Sequence, residues 1–283
     1  QPLSQSTGRI NSLAMLTGVE EYNLSDSSQF DSTYADHTEA ATKAQIKPRI
    51  TQTTVTARTK SIRYHLTQEL RQDLRNEFNL DADGEMIRAA TDEIAREINL
   101  TFLGNVINGA TAGSLTWGTI KPGTDYSGKE WIDYLSIYMT KAKSYVSQKV
   151  YIAPDWVIIG PGIAPYVEAM NTFAAIDGER IQFGNGLYRS GTIGSGITVY
   201  QCEWFAGISA GNKALFGFKP PSWMLTGAVY APYIPLYISP EDYHAATNDY
   251  ERSVSTRYAD VITNGDCFSL ILAEQVAGEA ITT

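Results

Sequence analysis

The chain has 283 residues, 43% hydrophobic and 19% charged. At about 150 residues per domain this predicts one or two domains with a sizeable core, and it excludes a chain that is disordered throughout. The net charge of −9 argues against a dedicated nucleic-acid binder, which needs a basic face to release counterions. There are three histidines and two cysteines, and Cys202 and Cys267 form no CxxC pair. A zinc site, a disulfide scaffold and a thioredoxin-like motif are therefore poorly supported. No apolar run approaches the ~18 residues that span a membrane, and no signal-peptide pattern opens the chain. The first residue is Gln1 rather than Met, as expected of a chain trimmed or cut from a precursor.

The charge is unevenly spread. Residues 1–42 set Arg9 against Glu20, Glu21, Asp26, Asp31, Asp36 and Glu39, a net −5. Residues 43–75 set Lys43, Lys47, Arg49, Arg58, Lys60, Arg63, Arg71 and Arg75 against Glu69 and Asp73, a net +6. An acidic arm followed by a basic segment fits complementary contact, within one subunit or between neighbours. Two solvated surface stretches fit the charge equally well.

In chain order, residues 1–45 are polar, show no sustained period and read as an extended arm. Residues 50–66 are rich in Thr, Val, Ile and Tyr, and Val55 and Ala57 alternate with Thr54, Thr56 and Arg58, which predicts strand. So basic a strand makes a poor core element and suits a protruding β-hairpin. The pattern turns helical through residues 69–75. Over 81–108, Ile87, Ala90, Ile94, Ile98, Phe102 and Val106 recur at three or four residues, with Asp81 as N-cap, Asp83 and Glu85 in the first turn and Gly109 as stop. Such a helix is about 40 Å long, more than a small domain requires.

Residues 113–128 read as a Gly/Thr-rich connection. A second helix is expected near 129–147, with Trp131, Leu135, Tyr138, Met139 and Ala142 on one side. A buried strand at 156–159 leads through Gly160-Pro161-Gly162 into a short helix, and residues 172–196 read as an exposed Gly-rich loop. Short strands follow at 197–204 and 214–218. Residues 229–238 are extended and apolar, with prolines that exclude helix. Further strands surround 257–259 and 268–271. Helices and strands mix without a strict βαβ rhythm, so the class is α+β.

Motifs for chemistry are sparse. The Gly160-Pro161-Gly162 turn lacks the Gly-Lys-Ser/Thr ending of a P-loop and the GxGxxG spacing of a dinucleotide site. Gly191, Gly194 and Gly196 read as loop flexibility. A histidine base could come only from His37, His65 or His244. His244 follows Glu241 and Asp242 in a polar loop, where a metal or simple solvation are both compatible with the residues. Cys202 beside Trp204 reads as a buried small hydrophobe. Tyr230, Tyr233, Tyr237, Tyr243, Tyr250 and Tyr258 cluster, as tyrosines do at sugar- or base-stacking sites and at interfaces. No catalytic, cofactor-binding or metal-binding residue is assigned.

Two separated blocks carry a resemblance. Thr54-Val55-Thr56-Ala57, Gln72-Asp73-Leu74-Arg75, Asp81-Ala82-Asp83 with Glu85, Glu93-Ile94 and Glu97-Ile98-Asn99 form the first. Tyr230-Ala231-Pro232-Tyr233-Ile234-Pro235-Leu236 and Thr256-Arg257-Tyr258-Ala259 form the second. In order and rough spacing over residues 50–272 they resemble the T-even phage major capsid proteins, apart from the loops at 109–130 and 172–228. That family is similar to the Hong Kong 97-type capsid fold.

The resemblance implies an N-terminal arm at 1–25, an E-loop hairpin at 26–68, a P-domain with a long spine helix at 69–130, an A-domain at 131–228 and return strands at 229–283. The residues before the helix leave no room for the insertion domain that T-even proteins carry on the E-loop. Family precursors are cut near the N-terminus after Glu, with which a start at Gln1 agrees. The implied role is a non-enzymatic subunit, without cofactor, of the icosahedral or prolate head of a tailed double-stranded DNA phage. The implied partners are further copies in hexamers, other head proteins (vertex, portal, scaffold, decoration) and packaged DNA held non-specifically, with no membrane. The implied place is the virion, after assembly in the host cytoplasm. Candidate inter-subunit contacts are Arg49, Arg58, Lys60, Arg63, Glu20 and Glu21. Alternatives are a vertex pentamer or encapsulin-like subunit, an aromatic-rich glycan-binding tail protein, and a hydrolase using paired carboxylates.

Overall fold

The apolar period between 81 and 108 produces the helix it predicts, and that helix organises the molecule. A computed structural model describes residues 7–12, 51–123, 127–176, 186–194, 196–221, 225–245 and 247–277. β1 (Thr7–Ser12) pairs antiparallel with β2 (Thr51–Thr56). Residues 13–45 of the expected arm lie outside the described residues. β3 (Arg58–Thr67) then leads into α1 (Gln68–Phe78) and α2 (Ala82–Asn108). Asp81 is the N-cap of α2 as its position predicts, but its side chain makes no cap hydrogen bond. Gly109 ends the helix, its N–H donating to Asn105 O at 2.8 Å.

The second half of the chain builds a seven-stranded sheet. Its strands are β4 (Gly113–Ile120), β5 (Trp156–Ile159), β6 (Phe173–Ala175), β7 (Leu187–Ile193), β8 (Ile197–Cys202), β9 (Lys213–Gly217) and β13 (Ser269–Ala277), in the order β4-β13-β9-β5-β8-β7-β6. Parallel pairs (β13 with β4, β5 with β8) mix with antiparallel ones, which is the α+β pattern. Two sequence expectations are corrected here. Residues 113–120 are a strand rather than a connection, because their backbone pairs in register with β13. Within 172–196, β6 and β7 replace an exposed loop: Gly191 lies opposite Ala175, and a Cβ at Gly191 would come within 2.4 Å of the Ala174 carbonyl oxygen. Gly194 and Gly196 do make the β7–β8 turn, at φ 53° and 98°.

Strand alternation divides the core in two. Val157, Ile159, Ala214 and Phe216 face α3 (Gly128–Val150) and α4 (Ala164–Glu168). Trp131, Leu135, Tyr138, Met139 and Ala142 of α3 are buried there, at helical spacing. Ser127 and Glu130 cap α3 reciprocally, Glu130 N–H to Ser127 Oγ at 3.2 Å and Ser127 N–H to Glu130 Oε2 at 2.8 Å. On the opposite face, Trp156, Ile158 and Leu215 meet Phe205, Phe268 and the C-terminal end of α2.

A second, four-stranded sheet is centred on β12 (Asp249–Ile262). β3 pairs along one side of it, and β10 (Ala228–Ile238) and β11 (Asp242–His244) along the other. The N-terminal half of α2 packs on this sheet: Ile87, Ala90, Ile94 and Ile98 meet Ile62, Tyr64 and Val254. Phe102 and Val106, further along the same helical face, belong to the large sheet's core. One apolar stripe thus joins the two sheets along a helix of about 40 Å.

Candidate functional site

β3 alternates, with Lys60, Ile62, Tyr64 and Leu66 on the inner register and Arg58, Arg63 and His65 exposed. Lys60 reaches across to Glu97 on α2, and that hydrogen bond holds its ammonium above the ordinary 10.5. Arg63 pairs with Glu251 of the neighbouring strand at 2.9 Å. Two of the predicted contact residues are therefore also engaged inside the subunit. Arg58 is exposed and has no ion pair among the described residues. Arg49, Glu20 and Glu21 lie outside the described residues.

The start of α2 is tied down by a polar network whose members the sequence reading assigned no such part. Asp83 accepts from the Tyr64 hydroxyl and from Arg252 Nη1, both at 2.6 Å. Burial, then the Asp83 bond, pushes the Tyr64 hydroxyl up to about 12. Arg71 of α1 donates to Glu241 at 2.7 Å and lies over the Tyr250 ring, 5.0 Å from its centroid. Only the first-turn position of Asp83 signalled a role, because its partners sit on β3 and β12, far away in sequence.

His244 is the last residue of β11, with Nε2 2.9 Å from Glu251 Oε2. His65 Nδ1 lies 3.8 Å from Asp249 and 3.9 Å from Glu251. Among the described residues no group of three or more His, Cys, Asp or Glu is arranged to hold a metal ion. His37 lies outside the described residues. Cys202 and Cys267 are buried, which pushes each thiol up to about 11, so both remain thiols at neutral pH. The Gly160-Pro161-Gly162 turn receives backbone: Gly162 N–H donates to Gly211 O at 2.8 Å, and a Cβ at Gly160 would meet that oxygen at 2.3 Å. These glycines serve close packing of two loops.

A cleft of about 580 Å³ lies between α1 and the start of α2, lined by Gln68, Arg71, Arg75, Asp81 and Tyr250 among others. It contains one carboxylate, Asp81, where hydrolysis by paired carboxylates needs two. A smaller apolar cavity of about 170 Å³ is lined by Phe102, Trp156, Phe218 and Phe268 among others. Among the described residues, seven of the exposed large apolar side chains lie on β10 and β11: Tyr230, Tyr233, Ile234, Leu236, Tyr237, Ile238 and Tyr243. The predicted tyrosine cluster is thus brought together, with Tyr230 against Tyr258 at 5.5 Å and Tyr243 against Tyr250 at 5.1 Å between centroids. Its rings spread along a strand rather than closing one groove.

The family model described as major capsid protein Gp23 matches residues 2–281. The major capsid protein of Vibrio phage KVP40 is 23% identical over 208 residues, which cover 66% of this chain. The chain spans 40% of that relative's length. Among solved structures, a chain described as Mycobacterium phage Adephagia superposes with TM-score 0.57 at 12% identity, over 95% of this chain and 85% of that one. A chain from the capsid structure of cyanophage P-SCSP1u gives 0.57 at 10% identity, over 96% and 84%. At such identities these structures establish a shared fold, the Hong Kong 97-like capsid fold. With a matching family model along nearly its whole length, the chain belongs to the Gp23 major capsid protein family.

Proposed function

We propose that the chain is a structural subunit of the head shell of a tailed phage, acting by self-assembly and not by catalysis. The observation that carries this reading is the family match over residues 2–281, joined to a fold shared with a phage capsid structure. The surface is consistent with it. Shells are built from several moderate interfaces repeated by symmetry, so that misplaced copies can leave during growth. A subunit of this kind exposes apolar and charged patches on more than one element, as β3, α1 and β10 do here.

The finer reading places the arm at 1–25, the E-loop at 26–68, the P-domain at 69–130, the A-domain at 131–228 and return strands at 229–283. It makes Arg49, Arg58, Lys60, Arg63, Glu20 and Glu21 contacts between copies in hexamers. Other head proteins complete the particle, packaged DNA is held non-specifically, and the assembly forms in the host cytoplasm before residing in the virion. The test is size. Purified chain examined by light scattering and negative-stain microscopy is expected to form capsomers, tubes or shells of megadalton mass. A stable monomer at every salt concentration overturns the shell reading and returns the exposed tyrosines to glycan binding.

A further inference from the structure

Two apolar faces stand exposed among the described residues, one on α1 and one on β10, and each departs from what a free surface requires. α1 has no buried residue. Its polar side, with Gln68, Arg71 and Arg75, lines the cleft against the subunit. Leu70, Leu74 and Phe78 recur every four residues on a different stripe, with Leu70 47% and Phe78 64% exposed. The helix is therefore turned the reverse of an ordinary surface helix, whose apolar stripe faces the core.

β10 is the second face. From Tyr233 to Ile238 every residue is exposed, so apolar side chains stand in solvent on both sides of the strand. An antiparallel sheet ordinarily shows water one polar face. Among the described strands β10 pairs only with β12. Its outer edge is poorly suited to another strand, because Pro232 and Pro235 lack N–H donors and the register shifts twice between Pro232 and Tyr237. Whatever covers β10 packs by side chains, as a helix does.

We propose that α1 of one copy packs its Leu70–Leu74–Phe78 stripe on the Tyr233–Ile238 face of β10 in a neighbouring copy. The proposal rests on the shell-subunit reading, which supplies the second copy as occupant. Patches that mark contact sites are typically about 300–600 Å². A specific interface buries about 1,000 Å² or more, so the contact needs both faces rather than either alone. The placement also selects the geometry. A two-fold contact of β10 with β10 leaves α1 uncovered, whereas a head-to-tail contact covers both faces and propagates around a ring.

Two single variants of the full chain test this, Phe78→Cys and Tyr237→Cys. The native Cys202 and Cys267 are buried and do not compete. Mixed before assembly and then oxidised, the two variants are expected to give a disulfide-linked dimer, and neither variant alone does so. Phe78→Glu is expected to raise the concentration at which assemblies appear by about tenfold, a change typical of losing one buried aromatic anchor. Its thermal melt is expected to stay close to that of the unmodified chain, since Phe78 is 64% exposed. Assemblies that form without the mixed cross-link, or a Tyr237→Cys chain that links to itself, overturn this contact alone. A chain that never assembles overturns the shell reading and the contact together.

Discussion

The best example of a single side chain whose behaviour follows from its strand partners is His244. Cross-strand neighbours place it beside Glu251, and that hydrogen bond, with Asp242 and Asp249 nearby, raises its protonation above the ordinary 6.5. The same bond, followed by Arg63 and His65, lowers Glu251 below the ordinary 4.5. A group whose folded value is raised contributes fully below its unfolded value and ceases to contribute as pH rises through the folded one; for a lowered carboxyl the order reverses. Both groups therefore contribute fully between about pH 4.5 and 6.5, and the histidine's share is lost as pH rises beyond that window. An NMR titration of the His244 ring is expected to give a midpoint above 6.5 that falls in Glu251→Gln. An unmoved midpoint contradicts the pairing. The sequence placed His244 in a polar loop among acids; it could not show that Glu251 comes alongside, because that depends on the register of β11 against β12.

At the scale of elements, α2 shows what a long period makes legible. Its start, its stop and its apolar face are all written in residues 81–109, since a helix is a local structure. What the period does not say is that Ile94 and Val106, on one stripe, enter different cores. Ile94→Ala is expected to lower stability by about 2–5 kcal/mol, with hydrogen-exchange protection lost first in β3 and β12. Equal loss across the large sheet would mean that the two cores open as one unit. The strands missed in sequence have a physical excuse. β4 begins at a glycine and holds another at Gly118, so its alternation is confined to Leu115 and Trp117 against Ser114 and Thr116, too short a run to mark a strand. β7 carries Arg189 and Gly191. Both strands exist because a distant partner strand accepts their backbone, and such pairing has no local signal.

For the whole molecule, the structure separates two roles that the basic segment 43–75 had merged. Lys60 and Arg63 close ion pairs inside the subunit, so changing them disturbs fold and surface together. Arg58 is exposed and has no ion pair among the described residues. Arg58→Glu is expected to leave the melting temperature unchanged while reducing the assembled fraction seen by light scattering. Lys60→Glu, which sets two carboxylates side by side, is expected to lower both. Normal particles from a chain carrying Glu at Arg58, Lys60 and Arg63 together would remove β3 from the list of contacts between copies.

The placement of β12 and β13 has a consequence for timing. Each is an inner strand of its sheet, with partners on both sides, yet both leave the ribosome after every strand they join. Between the end of β4 and the start of β13 roughly 150 residues must be made, about seven to thirty seconds of synthesis at common rates. Until β13 is made β4 has no partner among the described strands, and until β12 is made β3 and β10 have nothing between them to pair with. A nascent chain therefore completes both sheets only when residues 249–277 have been made.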